Sequence, residues 1–174
     1  MNKSYIIVLV VVIVLAGVVI GAMFLMGGGP RVIELELREF SFAVKGESAP
    51  LRVKAGEPVI FKAINRGVVV HELMIVSDKD RLINLATQKL AELYTQYGDD
   101  IDTVEVKFKE WHEEIHMKEH GLILESVDFE PGESKEIQFT FEEPGTYWLV
   151  CMEIEATYPQ THADQGMFLE IIVE

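Results

Sequence analysis

The sequence predicts an all-β Greek-key sandwich or barrel, interrupted by an inserted two-helix segment and preceded by a transmembrane helix. Three observations carry this reading. Short stretches rich in β-branched and aromatic residues recur between Gly, Pro and Asn turn signals. Residues 77–121 change from a period of two to helical spacing. Residues 5–26 carry no charge.

That N-terminal stretch, "YIIVLVVVIVLAGVVIGAMFLM", is long enough to cross ~30 Å of hydrocarbon at ~1.5 Å rise per residue. A cleaved signal peptide would have a shorter apolar region and a small-residue cleavage site, and a lipoprotein would place a cysteine just after it. Residues 1–26 therefore read as an uncleaved anchor and "GGGPR" at 27–31 as a hinge. Lys3 precedes the span and Arg31 is the first charge beyond it, a bias towards the N-terminus inside. The expectation is a single-pass cell-membrane protein with its domain, residues 32–174, on the extracytoplasmic side.

Within the domain, "VIELELREFSFAV" sets Ile33, Leu35 and Leu37 against Glu34, Glu36 and Arg38, the alternation of a half-buried strand. "LRVKAGEPVIFKAINRG" and "VVVHELMIV" follow, with turns at Ala55-Gly56 and Asn65-Arg66-Gly67, and their short separation suggests antiparallel neighbours. "VDFEPGESKEIQFTFEEPGTYWLVC" turns at "EPGES" and "EEPGT", and "GMFLEIIVE" is the final strand. Between these groups, Leu82, Leu85, Ala86, Leu90 and Leu93 fall at helical intervals after an N-cap at Asp78 or Asp80. Val104, Phe108, Trp111 and Ile115 make a second amphipathic helix after "GDD". Both are expected to pack on the sandwich.

Charge narrows the partners. A net charge of −14 argues against nucleic acid, whose phosphates require clustered Lys and Arg, and favours a basic protein partner. One cysteine cannot form an internal disulfide, so outside the cytoplasm Cys151 is buried, paired between chains, or protected by a metal.

A thiolate, two imidazoles and a thioether suit copper. The chain offers His71 in "VVVHELMIV", Cys151 ending "GTYWLVC", His162, and Met167 at the start of the last strand. Each alone reads most simply as a core residue or a satisfied polar group; together, in this order, they point to a metal site. "VHELMIV", "EPGTYWLVC" and "HADQGMFLEIIV" resemble the blue copper proteins, or cupredoxins, especially the plastocyanin-like and sulfocyanin-like members of bacteria and archaea. The resemblance covers most of residues 32–76 and 126–174. It implies a cupredoxin-like fold holding one mononuclear copper, Cu(I)/Cu(II), with His71, Cys151 and His162 as strong ligands and Met167 as the axial one. It also implies one-electron transfer between respiratory partners, a cytochrome or terminal oxidase, without enzymatic activity of its own. The ten residues between Cys151 and His162 form a longer ligand loop than the family's. Glu72, Glu153 and Glu155 are alternatives to Met167 at the axial position.

"HEEIH" at 112–116 formally matches HExxH, in which two histidines one helical turn apart bind zinc and the glutamate acts as base. The chain lacks the third ligand at a known protease spacing and the room for a peptidase domain. His112, His116 and His120, with Glu113 and Glu119, read either as a second metal site or, more simply, as a solvated edge. Glutamates 110, 113, 114, 119, 142 and 143 read as an acidic surface able to steer a basic redox partner. Two other functions fit the same residues: a copper delivery or storage module, and a mononuclear subunit of a membrane oxidase complex. The dinuclear copper centre of such oxidases needs two cysteines and is excluded.

Overall fold

The structure is a computed structural model that describes residues 29–119, 121–155 and 158–174. The expected anchor at 5–26 and His120 lie outside the described residues. Among the described residues, no helix is long and apolar enough to cross a membrane.

Val32–Glu174 forms one compact unit. In chain order the strands are β1 (Arg31–Arg38), β2 (Ser41–Val44), β3 (Leu51–Val53), β4 (Pro58–Asn65) and β5 (His71–Val76). Helices α1 (Lys79–Tyr97) and α2 (Ile101–Lys118) follow. The chain continues as β6 (Ile123–Phe129), β7 (Ser134–Thr140), β8 (Gly145–Val150), β9 (Ile154–Glu155), β10 (Tyr158–Thr161) and β11 (Phe168–Val173). One sheet has the order β2-β1-β4-β7 and the other β3-β11-β8-β5-β6; β9 and β10 form a small hairpin.

Two cores hold these layers together. Between the sheets, Leu35, Leu37, Phe61, Leu73, Ile75, Phe129, Leu149 and Ile171 are buried in one cluster. On the outer face of the five-stranded sheet, Met74, Val76, Val150 and Met152 join Leu82, Leu90, Val104 and Phe108 from the helices in a second. Every residue of β5 is therefore buried. Asp78 caps α1 by accepting the Arg81 N–H at 3.0 Å, and Asp100 caps α2 by accepting that of Thr103 at 3.2 Å.

The pairing corrects two expectations. Residues 32–44, read as one strand, fold back at Glu39-Phe40 into the antiparallel pair β1 and β2, with Leu35↔Val44 and Leu37↔Phe42 in register. β3, β4 and β5 are not antiparallel neighbours: β4 pairs with β7, β5 with β6 and β8, and β3 runs parallel to β11 through Leu51↔Ile171 and Val53↔Val173. A short connection makes a hairpin only when both strands stay in one sheet, and residues 66–70 instead carry the chain across the sandwich. Asn65 fixes that crossing. Its Nδ2 donates to the carbonyls of Val69 (2.8 Å) and Phe129 (2.9 Å), and its Oδ1 accepts the Gly67 N–H at 2.8 Å.

Candidate metal centre

Strand alternation assigns the donors to faces. On β5, Leu73 and Ile75 point between the sheets while Met74 and Val76 point to the helices, so His71 and Glu72 leave on opposite sides. β8 lies beside β5 with Ile75↔Leu149 and Met74↔Val150. Cys151, just beyond β8, joins Leu149 on the inner side, and Met152 joins the helix side. His162 opens a turn whose closure is local: its carbonyl accepts the N–H groups of Gln165 (3.1 Å) and Met167 (2.9 Å). The turn is tied to the sheet because His162 N–H donates to Glu153 O at 2.8 Å and Cys151 N–H to Met167 O at 3.1 Å.

Three donor atoms converge at this end of the sandwich. The Nδ1 atoms of His71 and His162 are 3.2 Å apart, and Cys151 Sγ lies 3.3 Å from His162 Nδ1 and 3.9 Å from His71 Nδ1. All three residues and Met167 are fully buried. Bonds of ~2.0 Å to nitrogen and ~2.3 Å to sulfur, typical of zinc-sized ions, would separate donors in a trigonal plane by about 3.5–3.7 Å. The observed separations bracket that figure, so the three side chains fit one ion between them.

The electrostatics favour a cation as well. Burial, reinforced by His162, lowers the His71 pKa to about 4, with the Glu39 carboxylate opposing. Burial drives the Cys151 thiol well above its ordinary range, offset in part by the Glu72 N–H that donates to Sγ at 3.2 Å. The pocket thus presents a neutral His71 imidazole and a costly thiolate. A bound cation would offset that cost by replacing the thiol proton.

The alternative carboxylates lie elsewhere. Glu72 points to the helices, where Ser126 Oγ–H donates to its Oε1 and the Met152 N–H donates to its Oε2 at 3.3 Å. Its place on β5 keeps it off the His71 face. Burial pushes Glu72 up to about 7 and Glu153 to about 8, and the Glu72 and Asp128 charges add to the rise at Glu153. The Glu155 side chain lies outside the described residues. His112 and His116 are not on a solvated edge: both are half-buried, and His112 Nε2 lies 3.7 Å from Glu72 Oε1. Their pKa values are lowered chiefly by burial. This corrects the simpler reading of that helix face; its apolar stripe packs down and draws the histidines under the sheet edge.

Three contributors went unnoticed in the sequence. A Cβ at Gly67 would stand 2.6 Å from His71 Nε2 and 2.7 Å from Glu39 Oε1, so only glycine leaves room for the imidazole. Glu39 Oε1 accepts the Val68 N–H at 2.7 Å and holds the same loop. Phe40, at a φ of 57° in the turn between β1 and β2, sets its ring edge against His162 with centroids 5.3 Å apart. Gly67 had shown only as a turn signal, and nothing local marked Phe40, because its partner is 122 positions away.

No protein-family model and no curated protein matches this sequence. Among solved structures, dithionite-reduced auracyanin from the photosynthetic bacterium Roseiflexus castenholzii aligns at a TM-score of 0.53 and 19% identity, covering 84% of this chain and 99% of that one. Auracyanin B aligns at a TM-score of 0.51 and 18% identity, covering 85% and 91%. Auracyanin A of Chloroflexus aurantiacus, described as a "blue" copper protein, aligns at 0.49 and 20%, covering 84% and 100%. The first two likenesses establish the fold, which is that of the auracyanins, a cupredoxin sandwich here carrying two helices.

Proposed function

We propose that residues 32–174 are a mononuclear copper electron-transfer domain. The observation that carries this reading is the convergence of Cys151 Sγ with the Nδ1 atoms of His71 and His162 in a fully buried pocket. Two imidazoles and a thiolate are the in-plane donors of blue copper sites, and Met167, buried beside them in sequence and turn geometry, is the proposed weak axial donor. Copper supplies a single-electron couple, Cu(I)/Cu(II).

The chain's own residues do the rest. β5 and β8 fix His71 and Cys151 on one rigid sheet, and the turn starting at His162 is locked by its own carbonyl. Little can rearrange when the charge of the centre changes. The Glu72 N–H aimed at Sγ stabilises negative charge on sulfur. Leu149, Met167 and Leu169 exclude water from the inner side. Burial of all three donors favours retention of a metal over rapid exchange, which supports electron transfer over delivery or storage.

The remaining parts of the reading rest on the sequence. Residues 1–26 would tether the domain to the extracytoplasmic face of the cell membrane and confine it near respiratory partners, a cytochrome or terminal oxidase with a basic docking surface. The exposed glutamates 113, 142 and 143 suit such a partner; Glu110, Glu114 and Glu119 are engaged by Lys107, Lys118 and Arg81. The test is the visible absorption of the full chain in detergent after Cu(II) loading. An intense thiolate-to-copper band that Cys151→Ser abolishes supports the centre. Equal copper binding without any such band in both proteins overturns it.

A further inference from the structure

The face of β5 opposite His71 carries a second cluster of metal-ligating side chains. One oxygen of Glu72 and one ring nitrogen each of His112 and His116 all lie within 4.8 Å of one another. Glu72 is 1% exposed, and His112 Nε2 is buried without a hydrogen-bond partner. The three residues open on a cavity of about 330 Å³ that Ser126, Asp128 and Glu153 also line. Five carboxylates, those of Glu72, Glu105, Glu113, Asp128 and Glu153, thus line one partly enclosed space, with Lys109 as the cation among its lining residues. That is an unfavourable arrangement for an empty cavity and a favourable one around a divalent ion.

We propose that Glu72, His112 and His116 form a second metal centre, distinct from the Cys151 pocket, that takes a divalent ion of zinc type. Two imidazoles one helical turn apart on α2 and a carboxylate from β5 make up a His₂Glu donor set, the kind that binds zinc while leaving a fourth position open. Glu153 lines the same cavity as these three donors. The third ligand is supplied by a strand 40 positions before the helical pair, so no spacing rule for HExxH motifs would find it. None of these donors is shared with the first pocket, so the second centre stands whatever fills the first.

The two centres are nonetheless joined through one residue. The Glu72 N–H donates to Cys151 Sγ, and the Glu72 carboxylate reaches the second cluster. A cation held there adds positive charge behind the thiolate. If the first pocket holds copper, zinc in the second favours the reduced form.

Zinc binding to the full chain in detergent, followed by calorimetry after the first pocket has been saturated with copper, tests the proposal. The wild type is expected to take up one further equivalent of Zn²⁺. His112→Asn, His116→Asn and Glu72→Gln are each expected to weaken it at least about tenfold. Thermal unfolding of the metal-free variants checks that they fold, and zinc should raise the Tm of the wild type but not of the His112→Asn/His116→Asn protein. No zinc uptake by the wild type, or equal uptake by the doubly substituted protein, overturns the centre. Full affinity in Glu72→Gln reduces the site to the histidine pair alone and overturns it too. Should the first pocket take no copper, the same comparison in a Cys151→Ser background still reports the second centre, so the two readings fail separately.

Discussion

The backbone N–H of Glu72 donates to Cys151 Sγ at 3.2 Å, while the carboxylate of the same residue leaves on the other face of β5 and approaches His112. One residue therefore touches both clusters of metal-ligating side chains, through its backbone and its side chain. Strand alternation makes this unavoidable: whatever follows an inward ligand on β5 must face the helices.

Met167→Leu separates an axial donor from a core residue. The swap nearly conserves volume, so stability should change by less than about 1.5 kcal/mol. If Met167 donates weakly to copper, the Cu(II) spectrum shifts and the reduction potential rises, because loss of a donor disfavours the oxidised ion. An unchanged spectrum and potential would show that Met167 only packs.

Gly67→Ala places a methyl 2.6 Å from His71 Nε2 and 2.7 Å from Glu39 Oε1. Either the imidazole or the loop must move, at a cost of about 1–3 kcal/mol for overpacking. Copper affinity should fall along with Tm. Copper titration of wild type and variant at matched stability checks this, and an intact affinity would mean the loop yields rather than the ligand.

Asn65→Ala removes a side chain that satisfies two carbonyls and one N–H in the crossing before His71. Leaving buried groups unpaired costs roughly 1–3 kcal/mol apiece, so a loss of about 3 kcal/mol or more is expected in urea unfolding. Asn65→Asp keeps the acceptor but loses both donated bonds, and should recover only part of it.

The metal-free protein should show a pH signature at Glu72. Its carboxyl is raised from the ordinary 4.5 to about 7 by burial, with Asp128 adding and with Ser126, the Met152 N–H and Lys109 opposing. A raised carboxyl contributes stability that is full below about pH 4.5 and is lost as pH rises through about 7. Glu72→Gln cannot ionise, so its stability relative to wild type should grow between pH 5 and pH 8, by on the order of 3 kcal/mol at most. Glu105, Lys109, His112, Glu113, His116, Asp128 and Glu153 line the same cavity in both proteins, and because the Glu72 charge raises Glu153, the gap reports Glu72 together with its coupling to Glu153. A gap that does not vary with pH would rule out the raised pKa.

Much of the architecture was legible along the chain because it is local. Alternation at Ile33, Leu35 and Leu37 marks β1, and the spacing of Leu82, Ala86, Leu90 and Leu93 marks the buried side of α1, since each pattern reflects one element meeting one apolar face. The donor types His71, Cys151, His162 and Met167 were likewise visible as chemistry. What the sequence by itself determined was where the helices and most of the strand-forming segments lie and which residues are able to hold a metal; the turn that divides 32–44 into β1 and β2 and the β9–β10 hairpin were not read from it.

Only the tertiary structure decided how they meet. The Nδ1 atoms of His71 and His162 approach to 3.2 Å because β5 lies beside β8 and the chain returns through the turn at His162. Glu72 meets His112 because the helices pack on the outer face of the sheet. Pairing β3 with β11 and sending β4 and β5 to different sheets depend on partners far along the chain. Those contacts are chosen by the burial of whole faces at once, a sum over distant residues that no local pattern contains.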